Sequence, residues 1–219
     1  MQDVYFISGL GADERIFQYL RLSGIRAHYV RWITPGKGET MGAYAERLLE
    51  QVDTENPVLV GMSMGGMIAM EMSKRIRVKK VILISSACTS KELPPYFRLL
   101  GIFPLHNWLP YRLLTKAGLL VGAWLFGASG EADKKLLKEI MYDTDKTFFC
   151  RAWGQIIRWK NNIISSPVFH IHGDRDRILP LRFVRADYIV RGGTHLMVIN
   201  KAEEVSLIIQ QQIAMLDTV

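Results

Sequence analysis

The chain has 219 residues, of which 49% are hydrophobic and 22% charged. That size fits one large domain, and the composition excludes a disordered tail, a collagen-like repeat and a long charged coiled coil. Twenty-eight Lys and Arg against 21 Asp and Glu give a net charge of +7, which favours anionic partners such as acidic substrates, membrane surfaces or nucleic acid without specifying a fold.

Short β-branched runs alternate with longer helical patterns along the chain. Val4–Ile7 reads as a buried strand, followed by a short helical pattern at Arg15–Leu22 and a second strand at Ala27–Trp32. Met41–Gln51 has apolar residues at helical spacing, with Thr40 as its N-cap candidate. Pro57–Val60 is a third strand and Met64–Arg75 the next helix. Val81–Ile84, Val168–Ile171 and Tyr188–Val190 complete six strands, and Glu203–Leu216 closes the chain as a helix. Runs that are Val/Ile-rich without strict alternation are the mark of parallel strands buried on both faces. The expected class is therefore α/β: a mostly parallel sheet of about six strands with helices on both faces.

One region breaks this rhythm. Residues 88–166 are too long for a simple crossover, and they hold Pro94, Pro95, Pro104 and Pro110 before further helical patterns. The expectation is a core of residues 1–87 and 167–219, with 88–166 inserted as a small helical subdomain at one end of the sheet. This insertion carries eleven Lys or Arg and six Asp or Glu, so +5 of the net +7 lies in it. It is rich in large apolar residues, among them Phe97, Leu99, Phe103, Trp108, Trp124 and Phe126. Most are expected to pack onto the core and some to line an acyl pocket or touch a membrane. Arg98, Arg112 and Lys116 could attract an acidic substrate, or simply form a solvated basic face.

The sharpest chemical signal is Gly61-Met62-Ser63-Met64-Gly65-Gly66, which follows a strand and opens a helix. Glycines there permit a cramped strand-to-helix turn that thrusts the serine hydroxyl outward at the carboxyl end of the sheet. The N-terminus of the helix points at the same place and favours negative charge as it develops.

A serine nucleophile needs a base, and the base needs an orienting acid. Of five histidines, His195 lies in a loop, Gly192-Gly193-Thr194-His195, after the last strand. His170 and His172 lie in or at the end of a strand, where His172 is expected to hydrogen-bond the adjacent loop. His28 starts a strand and His106 falls in the insertion. A loop histidine at a strand end is the stronger candidate. Two acids compete in His172-Gly173-Asp174-Arg175-Asp176-Arg177, directly after the fifth strand, and one of them is expected only to shape the turn. Arg175 and Arg177 would help keep Asp176 ionised if their side chains turn inward.

Serine, acid and histidine in that chain order, each after a strand, make the sequence resemble the α/β-hydrolase family over nearly its whole length. The resemblance implies Ser63 as nucleophile, His195 as base and Asp176 as acid, the last at the fourth position after His172 in the family's H-G-x-x-D pattern. Some members carry the acid one strand earlier, but this chain has Ser85-Ser86-Ala87-Cys88 there. The resemblance also implies an oxyanion hole from the backbone amides of Leu10 and Met64. Ser8 stands where the family often has histidine, which puts the usual bracing of that loop in question. The antiparallel strand pair that usually opens the fold is missing, so the chain looks like a minimal member with a helical cap.

The implied activity is that of a serine hydrolase, a carboxylic ester hydrolase acting on a small, acidic or acyl-bearing ester through an acyl-enzyme. A lyase or C–C bond hydrolase with the same residues is one alternative. A non-catalytic small-molecule receptor on this fold is another. No cofactor and no metal is implied. Cys88 and Cys150 have no CxxC spacing and no nearby histidine pair, so they read as reduced thiols in a cytoplasmic setting. The first residues carry no signal-peptide pattern. The most apolar stretch, Gly118 to Gly127, falls short of the ~20 residues that cross a bilayer, so no stable membrane insertion is expected. Nothing in the sequence makes a nucleic-acid or nucleotide site.

Overall fold

The computed structural model describes residues 1–97, 122–128 and 130–218. Six strands form one sheet: β1 (Gln2–Ile7), β2 (Ile25–Val30), β3 (Val58–Met62), β4 (Lys80–Ile84), β5 (Val168–Gly173) and β6 (Tyr188–Val190). Their spatial order is β2-β1-β3-β4-β5-β6, and every adjacent pair is parallel. The chain leaves β1 toward one edge and returns to pair β3 on its other side. The carboxyl ends of β1 and β3 therefore flank a crevice where strand direction of travel reverses, the usual place for a ligand in an open parallel sheet.

Alternate residues along each strand feed two separate apolar layers, as the period of two requires. Tyr5 and Ile7 of β1, Leu59 of β3 and Leu83 of β4 face one layer with α1 (Met41–Leu48) and α2 (Met64–Met72). Val4, Phe6, Val60 and Ile82 face the other, covered by α5 (Met197–Asn200) and α6 (Ala202–Ala214). Between β4 and β5 come α3 (Glu131–Asp143) and α4 (Lys146–Arg158), which join opposite layers. Leu136, Leu137 and Ile140 of α3 enter the second layer, whereas Phe148, Ala152 and Ile156 of α4 enter the first. The i, i+4, i+8 spacing of those α4 residues puts them on one face. Asp145 starts that helix by accepting the Phe148 amide at 2.8 Å. Thr40 caps α1 as expected, accepting from the Ala43 amide at 3.2 Å.

The expected helix at Arg15–Leu22 is a single 3-10 turn, Glu14–Phe17. Ile16 and Phe17 are buried as neighbours and Leu20 packs on the same layer, but the helical turn itself closes at Gln18. The helix expected to end at Arg75 stops at Met72. The second strand lies at Ile25–Val30 rather than Ala27–Trp32, paired along its whole length with β1. Arg98, Leu99, Phe103, His106, Trp108, Arg112 and Lys116, together with residues 118–121 of the stretch Gly118 to Gly127, lie outside the described residues.

Candidate active site

Ser63 follows β3 and precedes α2 with φ 52° and ψ −122°, a left-handed conformation that costs a non-glycine residue on the order of 1–3 kcal/mol. Neighbours hold it there. Its amide donates to the Ile84 carbonyl at 3.0 Å, and its carbonyl accepts from the Ser86 hydroxyl at 2.6 Å. Gly65 lets α2 start against the end of β1, because a Cβ at that position would run into the Ile7 and Ser8 carbonyls.

The acid and the histidine come from two loops that are sewn together. The Asp174 amide donates to the Val190 carbonyl, and the Arg175 amide to the Gly193 carbonyl at 2.9 Å. Asp174 returns the link by accepting the Gly192 amide at 2.6 Å. Gly173 makes the approach possible, since a Cβ there would meet the Gly193 carbonyl. Across this junction Asp176 Oδ2 lies 2.8 Å from His195 Nδ1, and His195 Nε2 lies 2.9 Å from Ser63 Oγ. A carboxylate only accepts, so Nδ1 carries the hydrogen. Nε2 of the neutral ring is then bare, and the serine hydroxyl donates to it.

Asp176 is only 4% exposed. Burial works to raise its pKa, but the charge of His195, its hydrogen bond, His172 and the Leu179 amide outweigh burial and hold the carboxyl below the ordinary aspartate range. The Ile178 and Leu179 amides both donate to Oδ1 at 2.9 Å. The flanking arginines do not turn inward. Arg175 and Arg177 are exposed, and Arg177 donates to the Trp124 carbonyl at 2.6 Å with its guanidinium 4.4 Å from the Trp124 ring.

Ser63 and His195 open into a cavity of about 480 Å³. Gly9, Leu10 and Ser63 form one end, and its walls include Ile16, Met67, Leu137 and Ile156. Among the described residues, neither the Leu10 nor the Met64 amide has a hydrogen-bond acceptor. The Leu10 loop is braced without the family's histidine: the Ser8 hydroxyl donates to the Ala12 carbonyl at 2.7 Å.

A family model described as the alpha/beta hydrolase family matches residues 4–206. The chain belongs to this family. Solved structures agree on the fold. An esterase from Exiguobacterium antarcticum superposes with a TM-score of 0.77 at 16% identity, covering 99% of this chain and 92% of that one. A carboxylesterase from Nitrososphaera gargenis gives 0.74 at 18% identity over 99% and 91%. A bromoperoxidase from Bacillus anthracis gives 0.69 at 18% identity over 100% and 92%. No curated protein matches the sequence. Family membership makes this α/β hydrolase a hydrolytic enzyme.

The remaining histidines lie elsewhere. His28 stacks on Tyr5 at 4.4 Å and meets Asp3 at 2.8 Å on the outer edge of the sheet. His172 hydrogen-bonds the adjacent loop at the Leu179 carbonyl. His170 donates from Nδ1 to the Arg185 carbonyl at 3.0 Å. Cys88, Glu92 and His170 bring donor atoms within 4.8 Å of one another, but these atoms are spent on the protein itself. Glu92 accepts the Cys88 amide at 2.6 Å, and burial pushes the Cys88 thiol up to about 12. Two contacts of this α/β hydrolase were invisible in the sequence. Phe126 meets the His195 ring edge-on at 5.6 Å, and Asn200 holds the neighbouring Thr194 hydroxyl at 2.7 Å. A helical offset of six residues between Thr194 and Asn200 gives no hint of that bond.

Proposed function

We propose that this α/β hydrolase is a serine carboxylic ester hydrolase. The observation that carries the reading is the unbroken hydrogen-bonded chain from Asp176 through His195 to Ser63 at the mouth of an apolar cavity. In this reading Ser63 Oγ attacks the ester carbonyl while His195 Nε2 takes its proton. Asp176 holds the imidazole in the tautomer that leaves Nε2 bare and stabilises the imidazolium as it forms. The amides of Leu10 and Met64 receive the oxyanion. Collapse of the tetrahedral intermediate expels the alcohol, protonated by His195, and leaves an acyl group on Ser63. Water, deprotonated by the same histidine, then releases the acid and restores the serine.

The apolar walls support an acyl chain as the part of the substrate that enters the cavity. Residues 88–166 act as a cap in this reading: α3 and α4 supply Leu136, Leu137, Ile140, Phe149 and Trp153 to the cavity. Two free cysteines support a cytoplasmic setting. Among the described residues no helix is long and apolar enough to cross a membrane.

The test is turnover of nitrophenyl esters of rising chain length by the intact protein and by Ser63→Ala. The expected kcat/KM rises by roughly fourfold per methylene, from about 0.8 kcal/mol per buried CH₂, until the cavity is full. Ser63→Ala loses both turnover and fluorophosphonate labelling. Labelling that persists at another serine overturns the assignment.

A further inference from the structure

His170 and His172 lie on the same face of β5, with ring centroids 5.0 Å apart and planes at 90°. His172 Nδ1 is 3.1 Å from His170 Nε2. The outer nitrogen of each ring faces a backbone carbonyl: His170 Nδ1 meets Arg185 O at 3.0 Å, and His172 Nε2 meets Leu179 O at 2.7 Å. A carbonyl oxygen can only accept, so both outer nitrogens carry hydrogen. Two neutral imidazoles own one N–H each, and both are now used. The two inner nitrogens would then confront each other with bare lone pairs, in a site where His170 is 1% and His172 0% exposed. Unpaired polar atoms so deeply buried are rare and costly.

We infer that the pair holds a third proton, shared between His172 Nδ1 and His170 Nε2, and that this buried cation positions Asp176 as a charged acceptor for His195. The inference rests on the role proposed above for Asp176. His172 Nε2 is 3.5 Å from Asp176 Oδ2, at the carboxylate oxygen that also meets His195. Without the shared proton, Asp176 would be a buried carboxylate among neutral rings. With it, the buried charges cancel, which is how interiors tolerate ions. The other groups facing the pair fit. Asp187 Oδ2 accepts the His170 amide at 2.8 Å from the segment before β6, adding negative charge. Glu92 stands beside Cys88 and the Arg185 amide, and the Cys88 thiol, 4.0 Å from His170 Nδ1, is held neutral by burial. Arg185 is exposed and meets the pair only through its carbonyl, and His195 opposes the pair only once it has taken the serine proton. Burial lowers both rings, His170 to about 3, and so opposes a proton on either; the two carbonyls and the facing inner nitrogens are what call for one. One proton shared by the inner nitrogens serves both rings at once, whereas a second would put two charges in the same buried space.

Nitrogen-15 NMR of the imidazoles in the intact protein near pH 7 counts these protons directly. The expected result is three N–H groups over the two rings, the inner proton coupled to a nitrogen of each. Two N–H groups and two bare nitrogens overturn the inference. This count needs no turnover, so it stands or falls apart from the ester hydrolase reading. A second arm uses His170→Gln, whose neutral amide can still donate to His172 Nδ1. Loss of the cation removes repulsion from the His195 imidazolium, so the acid limb of the pH–rate profile moves up by about half a unit or more. A limb that stays in place in the folded variant means that the pair was neutral, and overturns the inference. A structural brace alone would lower the rate without moving the limb.

Discussion

Asp174 and Asp176 leave the same strand two residues apart, and their surroundings separate them. Asp174 is exposed and spends its carboxylate on the Gly192 amide. An asparagine oxygen there can accept the same amide, so Asp174→Asn is expected to cost kcat little. Asp176 is buried and accepts from His195 and two backbone amides. Asp176→Asn removes the acceptor that fixes the histidine tautomer, and kcat is expected to fall on the order of 10⁴-fold, the loss typical of a triad acid. Steady-state kinetics of the two variants decide it; a crippled Asp174→Asn beside a nearly normal Asp176→Asn would reverse the assignment. That Ser63, Asp176 and His195 meet in space was legible because each follows a strand whose carboxyl end lies at one edge of the sheet. The orientation of Arg177 was not legible. Its partner, Trp124, is 53 residues away, and only the folded chain sets a cation on that ring. The partnership of His170 with His172 was half legible: alternation puts both on one face, but the carbonyls that fix their protons come from loops with no motif.

At the scale of elements, strands were easier to read than helices. All six strands appear, since buried β-branched runs have few other uses, and Tyr188–Val190 has the bounds expected for it. The turn at Glu14–Phe17 was overread as a helix because Ile16, Phe17 and Leu20 satisfy a loose periodic template in a segment that folds as a single turn. What the sequence could not give is the tightness with which elements meet. Gly173 closes the gap between the loops after β5 and β6, and the amides and carbonyls across that gap set the distance from Asp176 to His195. Gly173→Ala should force these loops apart. Melting temperature and kcat are expected to fall together, with kcat lower by on the order of 10²-fold, the scale of a 1 Å misplacement in a reacting constellation. Calorimetry and kinetics on the one variant check this; a fully active Gly173→Ala enzyme would mean that the junction adapts without moving the site.

For the whole molecule, composition fixed little beyond size and class, and right-handed crossovers limit the topology of a parallel sheet without choosing the order β2-β1-β3-β4-β5-β6 that the fold adopts. The charge surplus of +7 does not set acid stability; individual carboxyls do. His28 holds Asp3 below the usual range, chiefly by a side-chain hydrogen bond, and the Tyr5 hydroxyl does the same for Asp53. For Asp13 burial works upward, but its bonds to Arg15 prevail, and Asp176 is lowered through its histidines. A carboxyl whose folded pKa lies below its unfolded value stabilises the fold above the unfolded value. That contribution is lost as pH falls through the folded one. Glu92 acts in the opposite sense: burial raises it, so it costs stability near neutrality and ceases to do so in acid. The second proton on the His170–His172 pair, resisted by burial, joins the four aspartates, because the unfolded chain takes it more readily. Four lowered aspartates and one resisting pair outweigh one raised glutamate. The melting temperature is therefore expected to begin to fall below about pH 6.5, where a free histidine takes its proton, and to drop more steeply below about pH 4, the ordinary aspartate range. Calorimetric melts across that interval measure it. A midpoint that is flat down to about pH 3 would mean that these aspartates are no better satisfied in the folded chain than in the unfolded one.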